Sequence, residues 1–249
     1  MGLGRGHPAL ALSLVLALGG SAQGFATDSS WLAKPLVALL GGEADLACLG
    51  WAKTGACALV EKLDSGERGG YALRLLLLDS VEDTGLFKQD LWSDELGLDS
   101  DDPEALAEGF AAGEAGMAFA AACARAKVEV GSGEGGISSF PLAYKGSSFT
   151  AALKSAVSKA APSESETAAM ELGARKLDLQ LTVRREGRGS KTISALRGVM
   201  ASGMGVDGYF KSPFEPRILV AFETRSPGFE GDEARSLRYA GCQLEAGFK

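Results

Sequence analysis

Apolar positions in this chain repeat with a period of two over most of its length and with the helical period only in short stretches. Asp45 to Trp51, a Lys53-Thr54-Gly55 turn and Ala56 to Lys62 read as strand, turn, strand. Leu63 to Gly70 is polar and glycine-rich, a loop. Tyr71 to Asp79 is apolar on both faces, and Gly85 to Trp92 reads as a returning strand, which completes a β-meander over 45–92. The second β region spans 137–249. In it Phe149, Ala151, Leu153 and Val157 form one alternating segment. Leu177, Leu179, Leu181 and Val183 alternate with Asp178, Gln180, Thr182 and Arg184, the pattern of a strand with one wet face. A Glu186-Gly187-Arg188-Gly189 turn then leads into Lys191 to Leu196 as a hairpin. Arg217 to Glu223 is a core strand and Arg235 to Leu244 the last one.

Helical spacing interrupts this at three places. Leu32, Leu36, Leu39 and Leu40 share one side of a short helix started by Ser29 or Ser30, with Pro35 near its first turn and Gly41-Gly42 at its end. The segment 103–127 is a helical insert. Asp102 caps it, Pro103 takes the first position, and Arg125 and Lys127 face its negative end. Leu106, Phe110 and Met117 form its apolar stripe. Gly109, Gly113 and Gly116 each cost up to about 1 kcal/mol relative to alanine, so this helix depends on close packing against a neighbour. Ser163 with Glu166 makes a capping box for a third helix that ends at Gly173. The predicted class is therefore mainly antiparallel β with a few helices (α+β), built from meanders.

The first residues follow a different logic. Met1 to Pro8 carries Arg5 and no acid, Ala9 to Leu18 is apolar apart from Ser13, and Gly19 to Ala26 is small. That order is the secretory signal pattern, and the apolar run is about half the roughly 20 residues a membrane span needs. Ala22 and Gly24 satisfy the small-residue rule for a cut before Phe25, with Gly20 and Ala22 a close second choice. A signal peptide over 1–24 and a single mature domain over 25–249 are the expectation, with export to the periplasm or the extracellular space. No stable membrane insertion is expected after cleavage.

Charge narrows the partners. The whole chain carries 25 Lys and Arg against 32 Asp and Glu, a net −7, and no basic run opposes that balance. Nucleic acid, which needs a cationic footprint, is a poor partner. The one histidine is His7, inside the expected signal, so the expected mature chain has none. That removes Ser-His-Asp and Cys-His catalysis and every imidazole metal site. Cys48, Cys57, Cys123 and Cys242 are disulfide candidates in an oxidising compartment, with three connectivities, or four buried free thiols. If Lys53-Thr54 centres its hairpin, position 50 faces 57 and Cys48 lies diagonal to Cys57, out of reach of a relaxed bridge. Any disulfide is then expected to involve Cys123 or Cys242.

Few motifs carry chemistry. Gly131 to Gly136 satisfies G-x-G-x-x-G literally, but extended chain and not a helix follows it, so it reads as a flexible loop. Asp99, Asp101 and Asp102 begin like a calcium loop, and the glycine such a loop needs at its sixth position is missing. Helix capping explains Asp102 without metal. Met200 and Met204 have no His or Cys beside them and read as loop or core residues, not copper ligands. No catalytic residue and no cofactor is implied.

Leu49-Gly50-Trp51-Ala52-Lys53-Thr54-Gly55-Ala56-Cys57-Ala58-Leu59 resembles the Trp-Ser-Pro-Asp-Gly turn between strands in blades of TolB-like β-propellers. Lys211-Ser212-Pro213-Phe214-Glu215-Pro216-Arg217-Ile218-Leu219-Val220-Ala221 resembles a second copy. Gly228-Phe229-Glu230-Gly231 is similar to a Gly-Phe-Glu-Gly-Pro signature in a family of predicted secreted proteins of unknown function that carries the same turn. The first turn lacks Ser-Pro-Asp, the second has Phe214-Glu215 for Asp-Gly, and Asp232 replaces the final proline. The copies also lie much further apart than the roughly 40–50 residues of one blade. The resemblance implies export and meander structure, with partial propeller-like blades, and no activity; two ordinary hairpin turns account for the same residues.

Two functions follow as expectations. One is an exported non-catalytic structural or binding module with an unknown protein or glycan partner. The other is a carboxylate-dependent hydrolase acting on glycans, which requires a cleft with two facing carboxylates, at least one of them desolvated.

Overall fold

The structure is a computed structural model that describes residues 28–63, 71–95, 97, 102–227 and 233–249. The expected signal, most of the 63–70 loop, Asp99, Asp101 and the Gly-Phe-Glu-Gly segment lie outside the described residues.

The chain is mainly antiparallel β, in three open sheets with four α-helices among the described residues. The first sheet contains β1 (Leu46–Trp51), β2 (Ala56–Leu63), β3 (Ala72–Asp79), β4 (Thr84–Trp92) and β5 (Glu129–Gly136), in the order β4-β3-β2-β1-β5. The third sheet has β6 (Leu142–Tyr144), β7 (Ser147–Val157), β8 (Arg175–Arg185) and β9 (Gly189–Ala201) in sequence order. Between them lies a middle sheet of β10 (Gly203–Lys211), β11 (Arg217–Pro227) and β12 (Glu233–Gln243).

Three cores hold these layers. Helices α1 (Ala33–Leu40), α2 (Pro103–Ala112) and α3 (Glu114–Arg125) cover the outer face of the first sheet through Leu36, Leu39, Leu106, Phe110 and Phe119. The inner face, with Leu46, Cys48, Trp51, Cys57, Leu59 and Leu76, packs on Phe210, Leu219 and Ala221 of the middle sheet. The opposite face of the middle sheet, with Ile218, Val220 and Phe222, packs on Phe149, Leu181 and Val183 of the third. This is why β11 is apolar on both faces: it is the central strand of the central layer.

The capping box forms as expected. The Ser163 N–H donates to Glu166 Oε2 at 2.6 Å and the Glu166 N–H to Ser163 Oγ at 3.3 Å, opening α4 (Glu164–Glu171). The quoted blade-like segments are both hairpin turns, β1–β2 and β10–β11, and they touch, with Lys53 Nζ 5.8 Å from the Phe214 ring centre.

Four expectations need correction. The 103–127 insert is two helices, because Gly113 is extended (φ −66, ψ 161) and ends α2. A side chain at Gly116 would run into the carbonyl oxygens of Phe110 and Ala111, so α3 turns back tightly over the end of α2. The break also rephases the stripe: Met117 is 47% exposed, and Phe119, Ala120 and Cys123 are buried in its stead. The glycine run 131–136 is not a free loop but part of edge strand β5: Gly135 and Gly136 pair with Cys48 and Ala47, and residues 131–134 form a bulge in the register with β1. Its glycines permit close approach; a Cβ on Gly133, where φ is +65, would lie 3.0 Å from Trp51 Cδ1. Finally, the β1–β2 register pairs Trp51 with Cys57 and Cys48 with Leu59, with a bulge between Cys48 and Gly50.

Candidate functional site

The inner face of the first sheet changes character along its strands. At one end it is apolar; at the other β2 contributes Glu61, β3 Arg74 and β4 Asp90, neighbours in register. Arg74 grips Asp90 through Nε at 2.6 Å and Nη2 at 2.9 Å, a fork that holds the Asp90 carboxyl below the usual carboxylate range. Glu61 is buried, with Arg74 Nη1 at 3.9 Å, and the Tyr239 hydroxyl donates to its Oε2 at 3.4 Å. Burial raises the Glu61 pKa despite Arg74 and drives that of Tyr239 far up.

The middle sheet answers with its own charges. Arg235 on β12 reaches three carboxylates: Glu223 through Nε, Asp45 through Nη1 at 3.1 Å and Asp207 through Nη2 at 3.0 Å. Arg225 Nε also binds Glu223 at 2.7 Å. Burial opposes the Glu223 charge, yet the two guanidiniums outweigh it and its pKa is lowered. Asp207 keeps a raised pKa through burial, and its Oδ2 is buried with no hydrogen-bond partner among the described residues. Asp45 precedes β1, so Arg235 ties the first sheet to the middle one. This cluster is a closed fastening between layers.

Two surface depressions are lined by described residues. The smaller, about 140 Å³, is lined by Asp79, Asp83, Leu219 and Tyr239 among others. Asp79 Oδ1 accepts the Val81 and Glu82 N–H groups at 2.8 and 3.2 Å, and Asp83 Oδ1 accepts that of Gly241 at 2.6 Å. Burial raises the Asp83 pKa against that bond. The larger, about 470 Å³, runs along the outer edge of β4 beneath α3 and is lined by Gln89, Asp90, Leu91, Trp92, Glu95, Glu114, Ala115 and Ala118. Of the two, the larger reaches the roughly 300–1,000 Å³ typical of ligand sites.

The residues singled out from sequence fall elsewhere. Asp102 accepts the Glu104 N–H at 2.9 Å as the cap of α2, while Asp99 and Asp101 lie outside the described residues. No group of three or more His, Cys, Asp or Glu side chains among the described residues is placed to hold a metal. No helix among them is long and apolar enough to cross a membrane. Cys48 and Cys57 meet between the first and middle sheets; Cys123 lies in the helical layer and Cys242 between the middle and third sheets. Sequence reasoning missed Gln89, Asp90, Trp92, Glu95 and Glu114 as a group. The signal available was the polar run Lys88-Gln89-Asp90 in edge strand β4, with a tryptophan at its end.

Comparison of the chain with protein-family models, with curated proteins and with solved structures gives no match.

Proposed function

We propose that this chain is an exported binding module that takes a glycan along the β4 edge, in the depression formed with α3. The observation that carries this reading is the separation of the carboxylates by environment. Of the three described carboxylates whose burial raises their proton affinity, Glu61 and Asp207 are locked between sheets by arginines and a tyrosine, and Asp83 lies in the smaller depression. In the cavity large enough for a sugar, Asp90 is held ionised by Arg74. An ionised carboxylate accepts hydroxyl protons but cannot serve as the acid that protonates a leaving group. Trp92 supplies a face for sugar C–H groups, Gln89 a donor and acceptor, and Glu95 and Glu114 acceptors at the rim.

The hydrolase alternative has one supporting observation. Asp79 and Asp83 share the smaller depression, and Asp83 has a raised pKa. About 140 Å³ is small for a sugar chain, and both carboxylates are already engaged by backbone N–H groups.

Titration calorimetry of the full chain against soluble neutral and amino-sugar oligosaccharides tests the reading. Saturable binding that disappears in Trp92→Ala and Glu114→Gln, with the oligosaccharide recovered intact, supports it. Absence of binding across the panel, or binding only to a cationic peptide, refutes the glycan assignment. Release of reducing ends that stops in Asp83→Asn establishes the hydrolase.

A further inference from the structure

Cys48 and Cys57 are 0% exposed, and their sulfurs lie 3.8 Å apart on the inner face of the first sheet. Cys48 faces Leu59 and Cys57 faces Trp51, so the two are diagonal neighbours of one hairpin. Diagonal neighbours in a flat pair are usually about 7–8 Å apart at Cα, too far for a relaxed bridge. Here the β1 bulge places an extra residue between Cys48 and Trp51, and bulges increase the local twist that draws one diagonal together. The sulfurs need to approach by a further ~1.8 Å to reach disulfide length, less than 1 Å each. Around them are the apolar side chains of Leu46, Leu59, Leu76, Leu219 and Ala221, a setting that disfavours a thiolate. Burial accordingly pushes the Cys57 thiol well up, so it is a poor nucleophile in the folded chain, and both sulfurs are inaccessible there.

We infer that Cys48 and Cys57 form a disulfide as the chain folds in the presence of a small disulfide oxidant, and that closure of the middle sheet over the hairpin then shields it. The chemistry is exchange. One thiolate attacks the oxidant disulfide and expels one thiol; the second attacks the mixed disulfide and expels the other. The protein loses two protons and two electrons, and the oxidant is reduced to two thiols. The β1–β2 hairpin brings the two cysteines together locally, whereas bridges to Cys123 or Cys242 would have to join different cores.

The full chain, reduced and unfolded in denaturant, is refolded in a mixture of oxidised and reduced glutathione, unfolded again without reductant, and alkylated. Two alkyl groups, on Cys123 and Cys242, and a Cys48–Cys57 cross-linked peptide are expected. In parallel, the reduced chain folded before glutathione is added should stay fully reduced, and the bridged chain should resist dithiothreitol until denaturant is present. Four alkylated cysteines after oxidative refolding, or a bridge that includes Cys123 or Cys242, overturns the pairing. Oxidation or reduction equally fast in the folded and unfolded chain overturns the shielding.

Discussion

Leu219 and Val220 are consecutive, both essentially unexposed (2% and 0%), and face different cores. In a two-layer protein one of them would meet solvent, so truncating each in turn tests whether β11 lies in a middle layer. Leu219→Ala opens a cavity against Phe210 and Ala221 and should cost roughly 2–5 kcal/mol. Val220→Ala removes two methyl groups at about 0.8 kcal/mol each, plus a cavity term, for roughly 2–3 kcal/mol. Both are large against a domain stability of about 5–15 kcal/mol. Urea unfolding followed by far-ultraviolet dichroism and tryptophan fluorescence is the assay, since Trp51 is buried between the first and middle sheets. Both variants should lower the midpoint at unchanged slope, with the two signals moving together. If either variant falls within about 0.5 kcal/mol of wild type, as exposed positions do, that face of β11 is open and the three-layer stack is wrong.

Two further changes probe the charged fastening. Arg235→Ala leaves buried Glu223 with one partner fewer; since Arg235 is itself 38% exposed, roughly 1–3 kcal/mol should be lost by chemical denaturation. An unchanged midpoint for Arg235→Ala would show the cluster to be ornament on a stack held by its apolar cores alone. Glu61 has a raised folded pKa: at pH below the ordinary glutamate value both states hold the proton, and stability falls as pH rises through the raised value. Glu61→Gln is free of that loss, so its melting temperature relative to wild type should climb as pH rises above the ordinary glutamate range, and a flat or falling difference contradicts the assignment.

Much of this architecture could be read from the chain because its strands carry clear patterns. β8 alternates without error, β11 is doubly apolar, and Ser163 with Glu166 marks the start of α4. What escaped has a common cause in glycine. β5 (EVGSGEGG) and β10 (GMGVDGYFK) have too few side chains to show a period, yet their glycines are what let β5 cross over Trp51. Gly113 likewise split a helix whose composition reads as continuous. The close approach of Cys48 and Cys57 was illegible because one bulge residue shifts the register between them, a local event without its own sequence mark. The charged cluster was illegible for a different reason: Arg235 collects Asp45, Asp207 and Glu223 from 190, 28 and 12 residues away. A hint was present in Glu61, Arg74 and Glu223, each a charge at the end of an otherwise apolar strand face.

The chain has three tryptophans, and their indole N–H signals in a nitrogen–proton correlation spectrum test the glycan site most directly. Trp92 lines the β4–α3 depression, whereas Trp51 is sealed between sheets and Trp31 packs against Phe119 of the helical layer. With the signals assigned through Trp92→Phe, titration of the tightest-binding oligosaccharide should move the Trp92 resonance saturably and leave that of Trp51 in place. A ligand that shifts Trp51 or Trp31 and spares Trp92, or a panel that shifts none of the three, contradicts the proposed site.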